Sequence, residues 1–320
     1  MKLLTYRRDG AVRHGRLLDG DMIEEWGDGD LTSSLSGSPG SAPATAPLGT
    51  APPVAAPLGT AQPVAAPPGT APLGTPRPKA VSLGEVEVLT PLLSPGKLLG
   101  VAANYQDHVA EAGAEPLDKS RLAPRLFLMP PTSLLAHGRP IPLPSVSAQV
   151  DWEAELAVVI GRSAKDLDVE TALDAVAGYC VANDVSARSV DYGYPRDLED
   201  PAVRFFDWLA GKWLDGFAPL GPYLVTADEV GDPQALDVEL RVNGRVRQRG
   251  STKDMIFTVA ELVAFASRLM TLSPGDVLMT GTPAGVGATT GEFLAAGDEV
   301  SVSISGLGTL VNPVSPMEPS

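Results

Sequence analysis

Apolar and polar positions are most tightly ordered at Asp151-Trp152-Glu153-Ala154-Glu155-Leu156-Ala157-Val158-Val159-Ile160-Gly161. Side chains on a strand alternate between faces. Asp151, Glu153 and Glu155 therefore share one face, and Trp152, Ala154, Leu156, Val158 and Ile160 the other. The stretch predicts a strand apolar enough to be buried. Elsewhere, 3–6 and 11–18 predict a hairpin around Arg8-Asp9-Gly10. Further strands are expected at 86–89 and 98–102, and a short glycine-closed helix at 104–113. Residues 169–183 read as a helix running into a buried strand at 178–182, and 191–204 as a polar, turn-rich insertion. Asn243-Gly244 is the preferred two-residue hairpin turn, between strands at 236–242 and 245–249. Thr258 and Glu261 form a capping box that opens an amphipathic helix to Met270. A strand at 277–280 and a strand pair at 299–310 complete the pattern. Many strands with two or three helices predict an α+β, β-rich mixed fold, not a doubly wound α/β sheet.

One tract breaks the pattern. Ala-Pro-Leu-Gly-Thr stands at 46–50, 56–60 and 71–75, with the variant Ala-Pro-Pro-Gly-Thr at 66–70. A stretch this rich in Pro, Gly, Ala and Thr cannot bury a core and is expected to be a linker. Three regions follow: a small N-terminal β segment at 1–30, a low-complexity linker at 31–80 and a globular domain at 81–320.

The net charge of -15 argues against nucleic acid or an anionic membrane as partner. Cys180 is the one cysteine, which excludes an internal disulfide and a cysteine-based zinc site. No signal-peptide-like run opens the chain and no window reaches the length of a membrane span, so a cytoplasmic protein is expected.

Candidate chemistry begins with the acidic strand. Buried charges must be paired or coordinated. A divalent cation held by oxygen donors suits Glu153 and Glu155, although a solvated edge strand gives the same alternation. Asp184, in Asn183-Asp184-Val185-Ser186-Ala187-Arg188, could reach the same ion from an adjacent strand, or could simply cap a turn. His108 and Glu111 are three apart on one helix face, the arrangement in which a carboxylate orients an imidazole base. The loop 281–287 is neither a P-loop nor a dinucleotide fingerprint, but its glycines let backbone amides approach a small anion. Lys212, among apolar residues and turns, is either a carboxylate clamp or a surface lysine.

Taken in series, these segments resemble the fumarylacetoacetate hydrolase family. The matching residues are Asn104-Tyr105 with His108 and Glu111, Asp151-x-Glu153-x-Glu155, Asn183 to Arg188, Gly211-Lys212, Phe217 to Pro222, Asn243-Gly244 and Thr280 to Gly287. The resemblance implies a mixed β-sandwich roll that assembles as a homodimer. It implies Mg²⁺, or Mn²⁺ or Ca²⁺, held by Glu153, Glu155 and Asp184, and water activated by His108 and Glu111. Lys212 is implied at the reacting centre, with Arg188, Thr282 and Tyr105 on the substrate. The implied reaction is hydrolysis of a carbon–carbon bond in an acylpyruvate-like or diketo acid. Isomerisation, tautomerisation or decarboxylation of a 2-oxo-dioate is the alternative, and a non-catalytic binding protein the remote one. Asp191 departs from the pattern, since many relatives have glutamine there, and an acid would repel a substrate carboxylate.

Overall fold

The computed structural model describes residues 1–36 and 80–316. The repeats of the Pro-rich tract lie outside the described residues. A twelve-stranded sheet dominates. Its main path runs Ala80–Ser82, Met22–Asp28, Ala11–Leu18, Lys2–Arg8, Ala218–Thr226, Val176–Asn183, Ala154–Ile160, Val277–Met279, Leu98–Ala102 and Arg125–Met129. Neighbours on this path are antiparallel, except Val277–Met279 beside Leu98–Ala102. A second, five-stranded sheet contains the Asp237–Val242 and Arg245–Ser251 hairpin, Glu299–Ile304, Gly308–Pro316 and Ile141–Leu143. The fold is thus β-rich and mixed, as expected.

The Ala154–Ile160 strand is buried throughout, between Val176–Asn183 and Val277–Met279. Leu156, Val158 and Ile160 join the main core with Val238, Leu240, Val300 and Val302 of the second sheet and Leu262 and Val263 of the Val259–Leu269 helix. Ala157 and Val159 face the other way, into a second core with Leu98, Phe127, Met279 and Cys180. Period-two alternation sends Glu155 to that second side, and Glu153 lies just before the strand begins. Cys180 is fully buried.

The hairpin turn and the capping box are present. Asn243 and Gly244 both have positive φ, at 52° and 74°, as a type I′ turn requires. Thr258 Oγ1 accepts from the Glu261 amide while the Glu261 carboxylate accepts from the Thr258 amide.

Three expectations need revision. Residues 169–175 form a 3-10 helix, and the strand after it begins at Val176. The insertion is irregular only to Asp200, because Pro201–Ala210 is an α-helix. Asp200 caps it by accepting from the Ala202 amide, and Pro201 sits where a missing N–H costs nothing. The acidic stretch is two strands, Val150–Asp151 and Ala154–Ile160, with Trp152 and Glu153 between them. The small N-terminal β segment pairs into the main sheet. Lys2–Arg8 pairs with Ala218–Thr226, Ala80–Ser82 pairs with Met22–Asp28, and Leu31 of the Leu31–Ser36 helix is buried in the second core.

Candidate active site

Strand pairing brings the acids together. Ala154 lies opposite Asn183, so Asp184 emerges beside Glu153, and its amide donates to the Glu153 carbonyl at 2.8 Å. Glu153, Glu155 and Asp184 are all buried, and each offers a carboxylate oxygen within 4.8 Å of the others. Lys212, only 2% exposed, donates to Glu153 Oε2 at 2.8 Å and to Asp184 Oδ2 at 2.7 Å. Arg188 donates to Asp151 Oδ2 at 2.8 Å and to Glu153 Oε1 at 2.5 Å.

The balance of these charges differs at each acid. Burial pushes Glu155 well above the usual carboxylate range, and the charges of Asp184 and Glu153 push it further. Burial raises Asp184 to about 6, against the pull of Lys212. Burial would raise Glu153 too, but Lys212 and Arg188 reverse the effect and hold it low. One lysine therefore does not neutralise the cluster. Asp184 Oδ1 is buried without a hydrogen-bond partner, an arrangement that is costly unless something coordinates it. A buried all-oxygen set with an orphaned carboxylate atom fits a hard divalent cation.

Asp151, on the short Val150–Asp151 strand that pairs with Ser186–Ala187, has a different task from Glu153 and Glu155. It accepts from the amides of Gly287 and Ala288, at 2.6 and 2.9 Å, as well as from Arg188. The Gly281 amide donates to Glu155 Oε2 at 2.6 Å, and the Gly285 amide to Glu111 Oε2 at 2.7 Å. The anions that the 281–287 loop binds are thus three of the protein's own carboxylates. Gly285 has φ of 109°, and a Cβ there would fall 2.1 Å from the Arg247 carbonyl oxygen, so the close approach requires glycine.

His108 and Glu111 lie on the Gln106–Glu111 helix. His108 Nδ1 pairs with Glu111 Oε1 at 2.7 Å. Burial raises the Glu111 carboxyl, but His108, the Gly285 amide and Thr289 outweigh it and leave it below its ordinary value. Asn104 carries this helix. Its side chain donates to the carbonyls of Phe257 and Thr280 and accepts from the Phe257 amide.

A cavity of about 170 Å³ brings His108, Glu153, Asp184, Arg188, Lys212 and Thr282 into one lining, with an apolar side of Val101, Ala102, Ala103, Phe127 and Trp208. Two of the Arg188 nitrogens are committed to protein carboxylates. The Thr282 hydroxyl donates to the Ala154 carbonyl and accepts from Gln248 Nε2. Tyr105 is 1% exposed and packs in the main core, outside this lining. Sequence reasoning missed Phe127, Trp208 and Gln248. Gln248 is buried and joins the Ala154 amide to Thr282 and Pro283. An isolated glutamine in a hairpin strand gives no signal of such a role.

Residues 97–315 match the model of the fumarylacetoacetate (FAA) hydrolase C-terminal family. A protein of Burkholderia ambifaria named as a candidate hydrolase is 41% identical over 312 residues, 96% of each chain. The fumarylacetoacetate hydrolase of Exiguobacterium antarcticum is similar in structure, with a TM-score of 0.74, 33% identity and 99% of each chain covered. So is a 5-carboxymethyl-2-hydroxymuconate delta-isomerase from Mycobacterium smegmatis, with a TM-score of 0.71, 31% identity, and 99% of this chain and 100% of that one covered. The chain belongs to the fumarylacetoacetate hydrolase family, whose enzymes bind a divalent metal and act on small oxo acids as hydrolases, isomerases or decarboxylases.

Proposed function

We propose that this protein is a metal-dependent hydrolase that cleaves a carbon–carbon bond in an acylpyruvate-like or diketo acid. The observation that carries the reading is His108, paired with Glu111, lining the same cavity as the buried carboxylates and Lys212. Isomerisation and decarboxylation need no activated water, whereas hydrolysis does. Glu153, Glu155 and Asp184 would hold the ion, with Mg²⁺ the first choice and Mn²⁺ or Ca²⁺ compatible with the same oxygen donors. A bound divalent cation there supplies positive charge for the substrate's 2-oxo-carboxylate end and for the enolate charge that develops as the bond breaks. Glu111 holds His108 Nδ1, leaving Nε2 to take a proton from water for attack on the distal carbonyl. Lys212 and Arg188 keep Glu153 ionised and set the carboxylates in place. A homodimer and a cytoplasmic location belong to the same proposal.

The test is turnover of acetylpyruvate, fumarylpyruvate, oxaloacetate and a 2-hydroxy-diene-dioate, with and without Mg²⁺, products read by NMR. The reading expects two acids from one diketo acid, lost on chelation and reduced by about 10²- to 10⁴-fold in His108→Ala. Carbon dioxide release or a shifted double bond as the main product would replace it with the decarboxylase or isomerase reading, which the delta-isomerase among the similar structures makes the natural second choice.

A further inference from the structure

We infer that the substrate carries a single carboxylate, at its 2-oxo end, and an apolar, planar acyl group beyond the bond that breaks. This rests on the oxo-acid reading above and goes on to the part of the substrate that reading leaves open.

The cavity has two chemically distinct sides. The ionic side is the carboxylate cluster with Lys212, Arg188 and His108; the other is hydrocarbon. Phe127 and Trp208 form its aromatic wall, packed edge to face with ring centres 5.1 Å apart. The Phe127 ring lies against bare backbone, since a Cβ on Gly100 would fall 2.2 Å from its Cζ. Phe127 pairs through its strand with Gly100. Trp208 comes from the Pro201–Ala210 helix. A flat apolar group fits such a wall through offset or edge contacts.

Charge excludes a second carboxylate from the same place. Asp151, Glu153, Glu155 and Asp184 carry four negative charges when ionised, and Arg188 and Lys212 carry two positive ones. Both cations are already engaged with Asp151, Glu153 and Asp184. A divalent ion would bring the group to neutrality, and the substrate's first carboxylate then adds one negative charge. The remaining basic group in the lining, His108, is held by Glu111. A distal carboxylate would meet two aromatic rings and no uncommitted cation among the residues lining the cavity, at the cost of its hydration.

The rival destination for a distal carboxylate is the neighbouring cleft of about 780 Å³, which shares Arg188 and Trp208 with the cavity and is lined also by Arg196 and Arg204. That cleft is not a clean anion site. Arg196 is paired with Asp207 at 2.9 Å, and Asp191 also lines it.

Two non-cleavable acids separate these outcomes: 2-oxo-4-phenylbutanoate and 2-oxoglutarate, which differ in carrying a phenyl or a carboxylate at the far carbon. Both are titrated calorimetrically into Mg²⁺-loaded protein. The inference expects the phenyl acid to bind at least tenfold more tightly. Trp208→Ala should remove that preference while leaving 2-oxoglutarate nearly unchanged, Trp208→Phe should keep most of it, and Arg204→Ala should affect neither acid. Tighter binding of 2-oxoglutarate, or its selective loss in Arg204→Ala, would overturn the inference and leave the oxo-acid reading in place. Binding of neither acid would overturn both.

Discussion

Lys212 illustrates why sequence and structure value a residue differently. A lysine after a glycine in a loop looks like surface, yet this one is buried between Glu153 and Asp184. Removing one partner from a buried ionic cluster leaves the others uncompensated and costs about 3–5 kcal/mol. Lys212→Met should therefore destabilise the metal-free protein by about that amount in urea unfolding, and saturating Mg²⁺ should restore part of the loss by supplying charge to the same acids. Equal destabilisation with and without the ion would refute shared neutralisation. The raised Glu155 and Asp184 carboxyls make the converse prediction. Glu155 favours its protonated form when no ion is present and Asp184 gains a proton as pH falls through about 6, so Mg²⁺ binding should release protons and weaken as pH falls through that value. Calorimetry in buffers of different ionisation enthalpy checks this. Glu111 has the opposite sign. Its folded carboxyl lies below the ordinary 4.5, so its stabilising contribution is present above pH 4.5 and is lost as pH falls below it. Wild-type protein should lose stability to Glu111→Gln above pH 4.5, and the two curves should converge below it. The candidate ion site was legible in part, because Glu153 and Glu155 at alternating positions of an apolar stretch demand a partner, while Asp184 joins them through strand pairing. The commitments of Arg188 and Thr282 were not, because they depend on which neighbours the strands bring within reach.

At the scale of elements, legibility follows how local the determining interaction is. The Asn243-Gly244 turn and the Thr258–Glu261 box depend on residues a few positions apart, and both could be read directly. The Pro201–Ala210 helix could also have been read from Asp200, Pro201 and the closing Gly211. Its apolar residues obscured it: Phe205 and Phe206 are 55% and 62% exposed, so no clean buried stripe marks the helix. The 281–287 loop was legible as an amide-rich turn, but its targets were not, since Glu111, Glu155 and Asp151 arrive from distant segments. Gly285→Ala tests this loop. The added Cβ would collide with the Arg247 carbonyl in a backbone region that disfavours side chains. The variant should melt at lower temperature and lose the dependence of activity on Glu111, so that Glu111→Gln adds little in its background. Full additivity of the two substitutions would show that the loop does not hold Glu111.

At the scale of the molecule, the small N-terminal β segment and strands after the Pro-rich tract share one continuous sheet. Lys2–Arg8 covers the edge of Ala218–Thr226, with Lys2 opposite Val225 and Leu3 opposite Leu224. Glu87–Val88 and Ala80–Ser82 in turn pair with Lys2–Arg8 and Met22–Asp28. Leu3 and Leu31 also fill the second core, the one that carries Phe127 of the cavity wall. A low-complexity tract in sequence invites a domain boundary, because composition shows where packing is impossible but not which strands pair across the interruption. Deleting residues 1–79 would leave the Ala218–Thr226 edge unpaired on one side and open the second core, exposing apolar strand backbone that favours association. The shortened protein is expected to aggregate or to melt well below the full chain, whereas a true appendage could be removed with stability and metal affinity intact. Soluble yield, a thermal melt by circular dichroism and a Mg²⁺ titration on the two chains distinguish these outcomes.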